Sequence, residues 1–396
     1  MVKSFKIEDT AAKLVEKSTL LKVLNYIDTV DLKTPVLLMD GDRIKRNVAI
    51  IGSGIGNCKV YYAVKANPST EAIRFLSGLD VGFEISSEGE LNVLSGLEVH
   101  PERIISSNPV KTVDFIKSAY SYGIRYFSYD SLTEVEKLSQ HAPWSNLYVR
   151  LSIPNEGSEW PLSKKFGVEI DDALMLLTKA KERELNPMGI TFHVGSQCNN
   201  IYSWNIALDK ARLLSDMARD MGINISLINI GGGYPIKYTK SVLTVEAIET
   251  HINKLIKDRF PDGSIAVHLE PGRAVVGDAG IMVSRVTGKA DRPDGEKWLY
   301  IDVGVFNGLM ESIGGIKYTY ITETRGGGDV MGINTGIKQN WTLAGPSCDS
   351  FDVIAKNVQL YEPEVGDMVL ILSGGAYTVS YASEFNGCRI PETLIV

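Results

Sequence analysis

The chain has 396 residues, 44% of them hydrophobic, enough to bury a large core and to suggest two domains. A net charge of −7 without any basic tract argues against a nucleic-acid partner. Cys58, Cys198, Cys348 and Cys388 are widely scattered with no C-x-x-C pair, which disfavours structural zinc and a disulfide framework and fits a reducing cytoplasm.

Residues 1–22 are charged and lack the apolar stretch of a signal peptide. No apolar run has the length of a membrane helix, so no membrane partner is expected. Residues 36–39 read as a strand and 42–50 as a helix. Strand-like and helix-like segments then alternate: 59–64 with 70–77, 82–85 with 87–94, 104–106 with 111–120, 126–129 with 132–141, 147–151 with 171–183, 189–193 with 201–221, and 226–230 with 245–259. A further strand is expected at 266–269. Counting residues 36–39, this makes eight strand-and-helix units, the pattern of an α/β chain folded as a (β/α)8 TIM-type barrel. Beyond Glu270-Pro271-Gly272 the segments 280–289, 297–302, 317–321, 342–343 and 367–372 are short and β-rich. They predict a second all-β domain, β-barrel-like, with the division at 40–276 for the first domain and 1–39 with 277–396 for the second. Gly52-Ser53-Gly54-Ile55-Gly56 has the look of a dinucleotide fingerprint but precedes a strand, so it reads as a loop.

Barrel enzymes carry their chemistry at the C-terminal ends of the strands. Four such ends hold unusual residues here. Lys65 closes the Tyr61-Tyr62-Ala63-Val64 run before Asn67-Pro68. A lysine there is costly unless paired or covalently bound, and in an apolar setting its depressed pKa lets it form a Schiff base with an aldehyde. A side chain pointing to solvent is the plainer alternative. His193 ends a second strand, either as a satisfied core histidine or as a flat ring stacked on a cofactor. Gly231, Gly232 and Gly233 end a third, either as a turn or as backbone N–H groups closing on a phosphate. Glu270 ends a fourth, as a buried partner for Arg273 or as a functional acid able to keep a pyridine nitrogen protonated. Cys348 and Asp349 lie in a polar loop of the second domain, where the thiol, unassisted by positive charge, can serve as a proton donor.

Six motifs in order give these residues a common frame: Tyr62-Ala63-Val64-Lys65-Ala66-Asn67, Phe192-His193-Val194-Gly195-Ser196, Gly231-Gly232-Gly233-Tyr234-Pro235, Glu270-Pro271-Gly272-Arg273, Gly345-Pro346-Ser347-Cys348-Asp349 and Gly375-Ala376-Tyr377-Thr378. Together they resemble the fold-type III, pyridoxal-phosphate-dependent decarboxylases of basic amino acids, nearest to the bacterial ornithine and lysine enzymes. The resemblance implies that Lys65 is the Schiff-base lysine, that His193 stacks on the pyridine ring and that Glu270 faces its nitrogen. It implies phosphate contacts from Ser196, the Gly231–233 turn, Gly272, Arg273 and Tyr377, and places Arg150 near the cofactor. Cys348 corresponds to the residue that reprotonates the substrate carbon, and Asp349 to the group that binds the distal amine. In the family these two reach the opposite subunit's site, so a homodimer with shared active sites is implied. The implied reaction is decarboxylation of ornithine or lysine in polyamine biosynthesis. The alternatives are a modified amino acid in a siderophore or antibiotic pathway, and, less favoured, an inactive regulatory homologue.

Departures from the family pattern touch the substrate. Phe83-Glu84 stands where eukaryotic ornithine decarboxylases carry Phe-Asp, and the Phe306-to-Glu311 stretch lacks the arginine that diaminopimelate decarboxylases use. Those enzymes also carry Glu where Asp349 stands, so diaminopimelate is disfavoured. Glu311 aligns loosely as a second substrate-binding acid.

Overall fold

In a computed structural model the described residues are 15–154, 158–160, 165–325, 331–332 and 337–396. Most of residues 1–22, namely 1–14, therefore lie outside them. Eight parallel strands close into a barrel in the order Leu227–Asn229, Ala266–Leu269, Cys58–Ala63, Gly82–Ile85, Ile104–Ser106, Tyr126–Tyr129, Asn146–Arg150 and Asn186–Thr191. Five of the helices begin at a capping hydroxyl. Ser69, Ser87, Thr112, Ser131 and Thr244 each accept a hydrogen bond from the backbone N–H three residues on, which starts the following helix.

One unit of the expected count is corrected. Val36–Met39 is not a barrel strand. It pairs antiparallel with Gly280–Asp291 and parallel with Glu392–Ile395. The eighth barrel position belongs to Ala266–Leu269, which pairs with Cys58–Ala63 and closes the ring. All four residues of Val36–Met39 are buried, so its apolar run fits either sheet and periodicity alone did not separate them.

The second sheet is nine-stranded and mixed, with Gly280–Asp291 at its centre between Lys297–Ile301 and Met368–Leu372. A helix over Lys17–Thr29 lays Leu20, Val23, Leu24 and Ile27 against Val36, Leu38 and neighbouring residues of that sheet. The Gly52–Gly56 loop is closed onto a helix rather than open to a ligand. The N–H groups of Gly52 and Gly54 donate to the Glu249 carboxylate at 2.6 and 3.0 Å. Among the described residues no helix is long and apolar enough to cross a membrane.

Candidate active site

The predicted strand-end residues gather at one mouth of the barrel. Cys58–Ala63 ends one residue earlier than the sequence suggests, and Lys65 sits in the short 3-10 turn Val64–Ala66 that follows. Its Nζ donates to Glu84 Oε2 at 2.9 Å, from a lysine side chain 47% exposed to a carboxylate 1% exposed. The expectation of a depressed lysine pKa is corrected here. Burial penalises the ammonium most, but Glu84, Tyr377 and Glu270 together outweigh it, and the pKa of Lys65 is raised. Ser86 Oγ donates to the other Glu84 oxygen at 3.2 Å. Nearby, burial and then the charge of Glu84 push Glu90 up to about 7.

Glu270 is buried and does not pair with Arg273. Its Oε1 accepts from Ser107 Oγ and from Asn229 Nδ2, the latter at 2.5 Å. Oε2 accepts from no donor among the described residues. Burial, then Glu84, raise the pKa of this carboxyl, while Lys65 opposes them.

His193 follows the strand Asn186–Thr191. Its Nδ1 accepts the Gly195 N–H at 2.9 Å, which puts the ring proton of the neutral form on Nε2. Burial, then the charges of Arg150 and Lys65, push it down to about 3, so the ring is neutral near pH 7. Arg150 ends the neighbouring strand with its guanidinium 5.3 Å from the Phe166 ring centre.

The turn after Leu227–Asn229 has room only for glycine. A Cβ on Gly231 would stand 2.6 Å from the Phe192 carbonyl oxygen, and one on Gly233 would stand 2.5 Å from that of Gly195, with φ of +65° and +98°. The backbone N–H groups of Gly232 and Gly233 donate to no acceptor among the described residues. Gly272 and Tyr377 border the same cup. A Cβ on Gly272 would lie 3.3 Å from the Tyr377 hydroxyl, and the Tyr377 N–H donates to Ala66 at 2.7 Å. Free amides and hydroxyls around a glycine turn suit a phosphate, and a neutral flat ring beside an unmatched carboxylate oxygen suits a protonated pyridine.

Arg273, expected as a phosphate contact, is held within the chain. Its NH1 and NH2 groups bind Glu311 at 2.7 Å each, NH1 also donates to Tyr238 at 2.5 Å, and Nε and NH2 donate to Ser196 Oγ at 3.3 and 3.2 Å. All five N–H donors are thereby engaged. Both members of the Arg273–Glu311 pair are buried, and Tyr377 stacks 4.6 Å from the guanidinium. Ser196 accepts twice from Arg273, so its own proton is left to point elsewhere.

Cys348 and Asp349 stand apart from this cluster. The Cys348 N–H and Sγ both lie on Asn386 Oδ1, at 3.1 and 3.3 Å, and Asp349 Oδ1 accepts the Phe351 N–H at 2.8 Å. Both residues are exposed, and among the described residues neither side chain bonds to the barrel mouth. Their loop is fixed by the buried Asp352, which accepts the N–H groups of Val305 and Ser347 at 2.7 and 3.0 Å.

Sequence reasoning missed Ser107, Asn229 and Tyr238, and left Glu84 without a role. The available signal was position. Ser107 directly follows Ile104–Ser106, Asn229 ends Leu227–Asn229, and Glu84 pairs in register with Ala63, two residues before Lys65.

Residues 42–277 match the family model described as the pyridoxal binding domain of pyridoxal-dependent decarboxylases. The lysine/ornithine decarboxylase of Selenomonas ruminantium is 34% identical over 368 residues, covering 92% of this chain and 90% of that protein. The ornithine decarboxylase of Schizosaccharomyces pombe is 35% identical over 338 residues, 83% of this chain and 76% of that one. The structure of the lysine/ornithine decarboxylase from Vibrio vulnificus, complexed with cadaverine, superposes with a TM-score of 0.86 at 29% identity over 97% of this chain and 100% of that one. With its closed barrel and these strand-end residues, the chain belongs to the pyridoxal-dependent decarboxylases.

Proposed function

We propose that this chain removes the α-carboxylate of a basic amino acid, ornithine or lysine, and releases the diamine and CO2. The observation that carries the reading is the convergence of Lys65, neutral His193 and Glu270 with one unmatched oxygen beside a glycine-built cup. When bound, pyridoxal phosphate supplies an aldehyde that joins amines and a ring that accepts the electrons left by the departing carboxylate.

The chain's own residues do the rest. Gly232, Gly233, Ser196 and Tyr377 would hold the phosphate, and Arg273 orients the Ser196 hydroxyl. His193 would lend an uncharged face to the ring, with Arg150 beside it. Glu270 would accept the ring N–H. Lys65 would be the amine that holds the cofactor's aldehyde, and Glu84 holds its ammonium when it is free. Cys348 Sγ gives a proton to the substrate α-carbon, and Asp349 holds the distal ammonium. Both act from the partner in a homodimer, a reading supported by their exposed position on a rigid loop. Residues 40–276 then form the cofactor-binding unit, and 1–39 with 277–396 the unit that serves the neighbour. Four free cysteines suit the cytoplasm.

A second reading, decarboxylation of a modified amino acid, is favoured by one feature. Glu311 is neutralised by Arg273, so of the two acids assigned to the substrate only Asp349 is left to select for a free distal amine. The inactive regulatory reading has the intact Lys65, His193, Glu270 and Cys348 set against it.

The test is product analysis. The purified chain loaded with pyridoxal phosphate is expected to yield putrescine from ornithine or cadaverine from lysine, with CO2. Failure on both, with turnover of an acylated or otherwise extended amino acid, would transfer the function to the second reading.

A further inference from the structure

The lumen beneath the mouth is polar, where TIM-type barrels usually carry Val, Ile and Leu. Tyr61 and Tyr126 pack against His268 with ring centres 4.8 and 5.9 Å apart, the latter across the barrel between non-neighbouring strands. One layer above, Ser107 and Asn229 bond to Glu270, and Tyr148 bonds to Ser107. Ser107 and Glu270 follow strands separated by two others, so their hydrogen bond also spans the lumen. Tyr148 OH lies 2.8 Å from Ser107 Oγ. Ser107 has a single proton and directs it at the carboxylate, so Tyr148 is the donor in that contact, with the Ser106 carbonyl a longer second acceptor at 3.4 Å. Asn229 adds a second donor to the same Glu270 oxygen, Oε1. The result is a one-way chain, Tyr148 to Ser107 to Glu270 Oε1, within a buried setting where successive hydrogen bonds strengthen each other.

We propose that Ser107 and Tyr148 are positioning residues for Glu270, their relay fixing Oε1 as an ionised acceptor and thereby turning Oε2 to the cofactor's ring nitrogen. This deepens the decarboxylase reading and rests on it for the role of Oε2. Burial and Glu84 drive Glu270 toward its neutral form, and a neutral carboxyl cannot accept a proton-bearing nitrogen in the same way. The charged and titratable groups around Glu270 are Lys65 and Tyr61 from one strand, Glu84 from the next, Arg150 and Tyr148 from a third, and neutral His193 across Gly232. Of these, Lys65 and Arg150 favour its charge, and the relay adds to them from below.

The test uses Ser107→Ala and Tyr148→Phe in the full chain. Two titrations are followed: the glutamate carboxyl signals by carbon NMR in the cofactor-free chain, and the visible absorbance of bound pyridoxal phosphate. With Ser107→Ala both are expected to move up by about one pH unit, the size of one lost hydrogen bond to a charged group. Tyr148→Phe moves them in the same direction by less, because Ser107 still donates. The acid limb of kcat follows, with KM little changed. Unmoved titrations in either folded variant overturn the inference, and should Ser107→Ala fail to fold, Tyr148→Phe decides alone. If the decarboxylase reading were wrong, the cofactor-free titration would still shift. If the relay is wrong, that titration stays in place whatever the enzyme turns over.

Discussion

Replacing Glu311 by Ala separates two roles for this residue. As a substrate-binding acid, its loss would raise KM and leave the fold alone. As the counter-ion of Arg273, its loss leaves a guanidinium 3% exposed with two of its N–H groups stripped of their carboxylate. Tyr238 and Ser196 remain as acceptors but carry no charge. Removing one member of a buried pair typically costs about 3–5 kcal/mol, because the other charge stays desolvated. We therefore expect Glu311→Ala to lose about that much in urea denaturation of the cofactor-free chain. Adding Arg273→Met to it should restore part of the loss, since the stranded charge is then gone. Loss of Ser196 orientation should also weaken binding of pyridoxal phosphate. Stability within about 0.5 kcal/mol of the parent, with KM raised, would refute the counter-ion reasoning and return Glu311 to the substrate.

Lys65→Ala should abolish turnover, and borohydride reduction of the loaded parent should label Lys65 in a peptide digest; a label on another lysine would void the assignment. Burial, then Lys59, push His268 down to about 4, so the fold holds it neutral while the unfolded chain protonates it near 6.5. Its contribution is full above pH 6.5 and lost as pH falls toward 4, up to about 3 kcal/mol, so urea midpoints should decline in that window and decline less in His268→Leu. An equal decline in both proteins would contradict it. Inactive Lys65→Ala and Cys348→Ala chains, mixed with subunit exchange verified by mass, should recover up to about a quarter of parental activity, because each heterodimer has one site with neither defect. No recovery would mean that each site is built from one chain.

The alternation of strands and helices made the barrel legible, because each helix needs only local signals: an apolar stripe and a capping Ser or Thr. The ring closure was not local. Ala266–Leu269 meets Cys58–Ala63 across about two hundred residues, and nothing in either segment names its partner. For the same reason Val36–Met39, buried on both faces, was counted with the wrong sheet. At the site, Lys65, His193, the glycine turn and Glu270 were readable because each departs from what an apolar strand end ordinarily carries. Ser107 and Asn229 escaped notice as ordinary polar residues whose meaning depends on what faces them across the lumen. The Arg273–Glu311 pair was hidden differently. Both residues were singled out, yet their saturation of one another is a property of packing rather than of sequence.

Val36–Met39 lies between Gly280–Asp291 and Glu392–Ile395, so the strand made early in synthesis is held by two made late. The barrel is an insertion within that sheet. During translation the second edge of Val36–Met39 stays unpaired until Glu392–Ile395 has been made. The Val396 N–H completes the edge by donating to Met39 at 2.8 Å. Removing Glu392–Ile395 would therefore reopen an apolar strand edge at Val36–Met39, exposing a template for aggregation remote from any catalytic group.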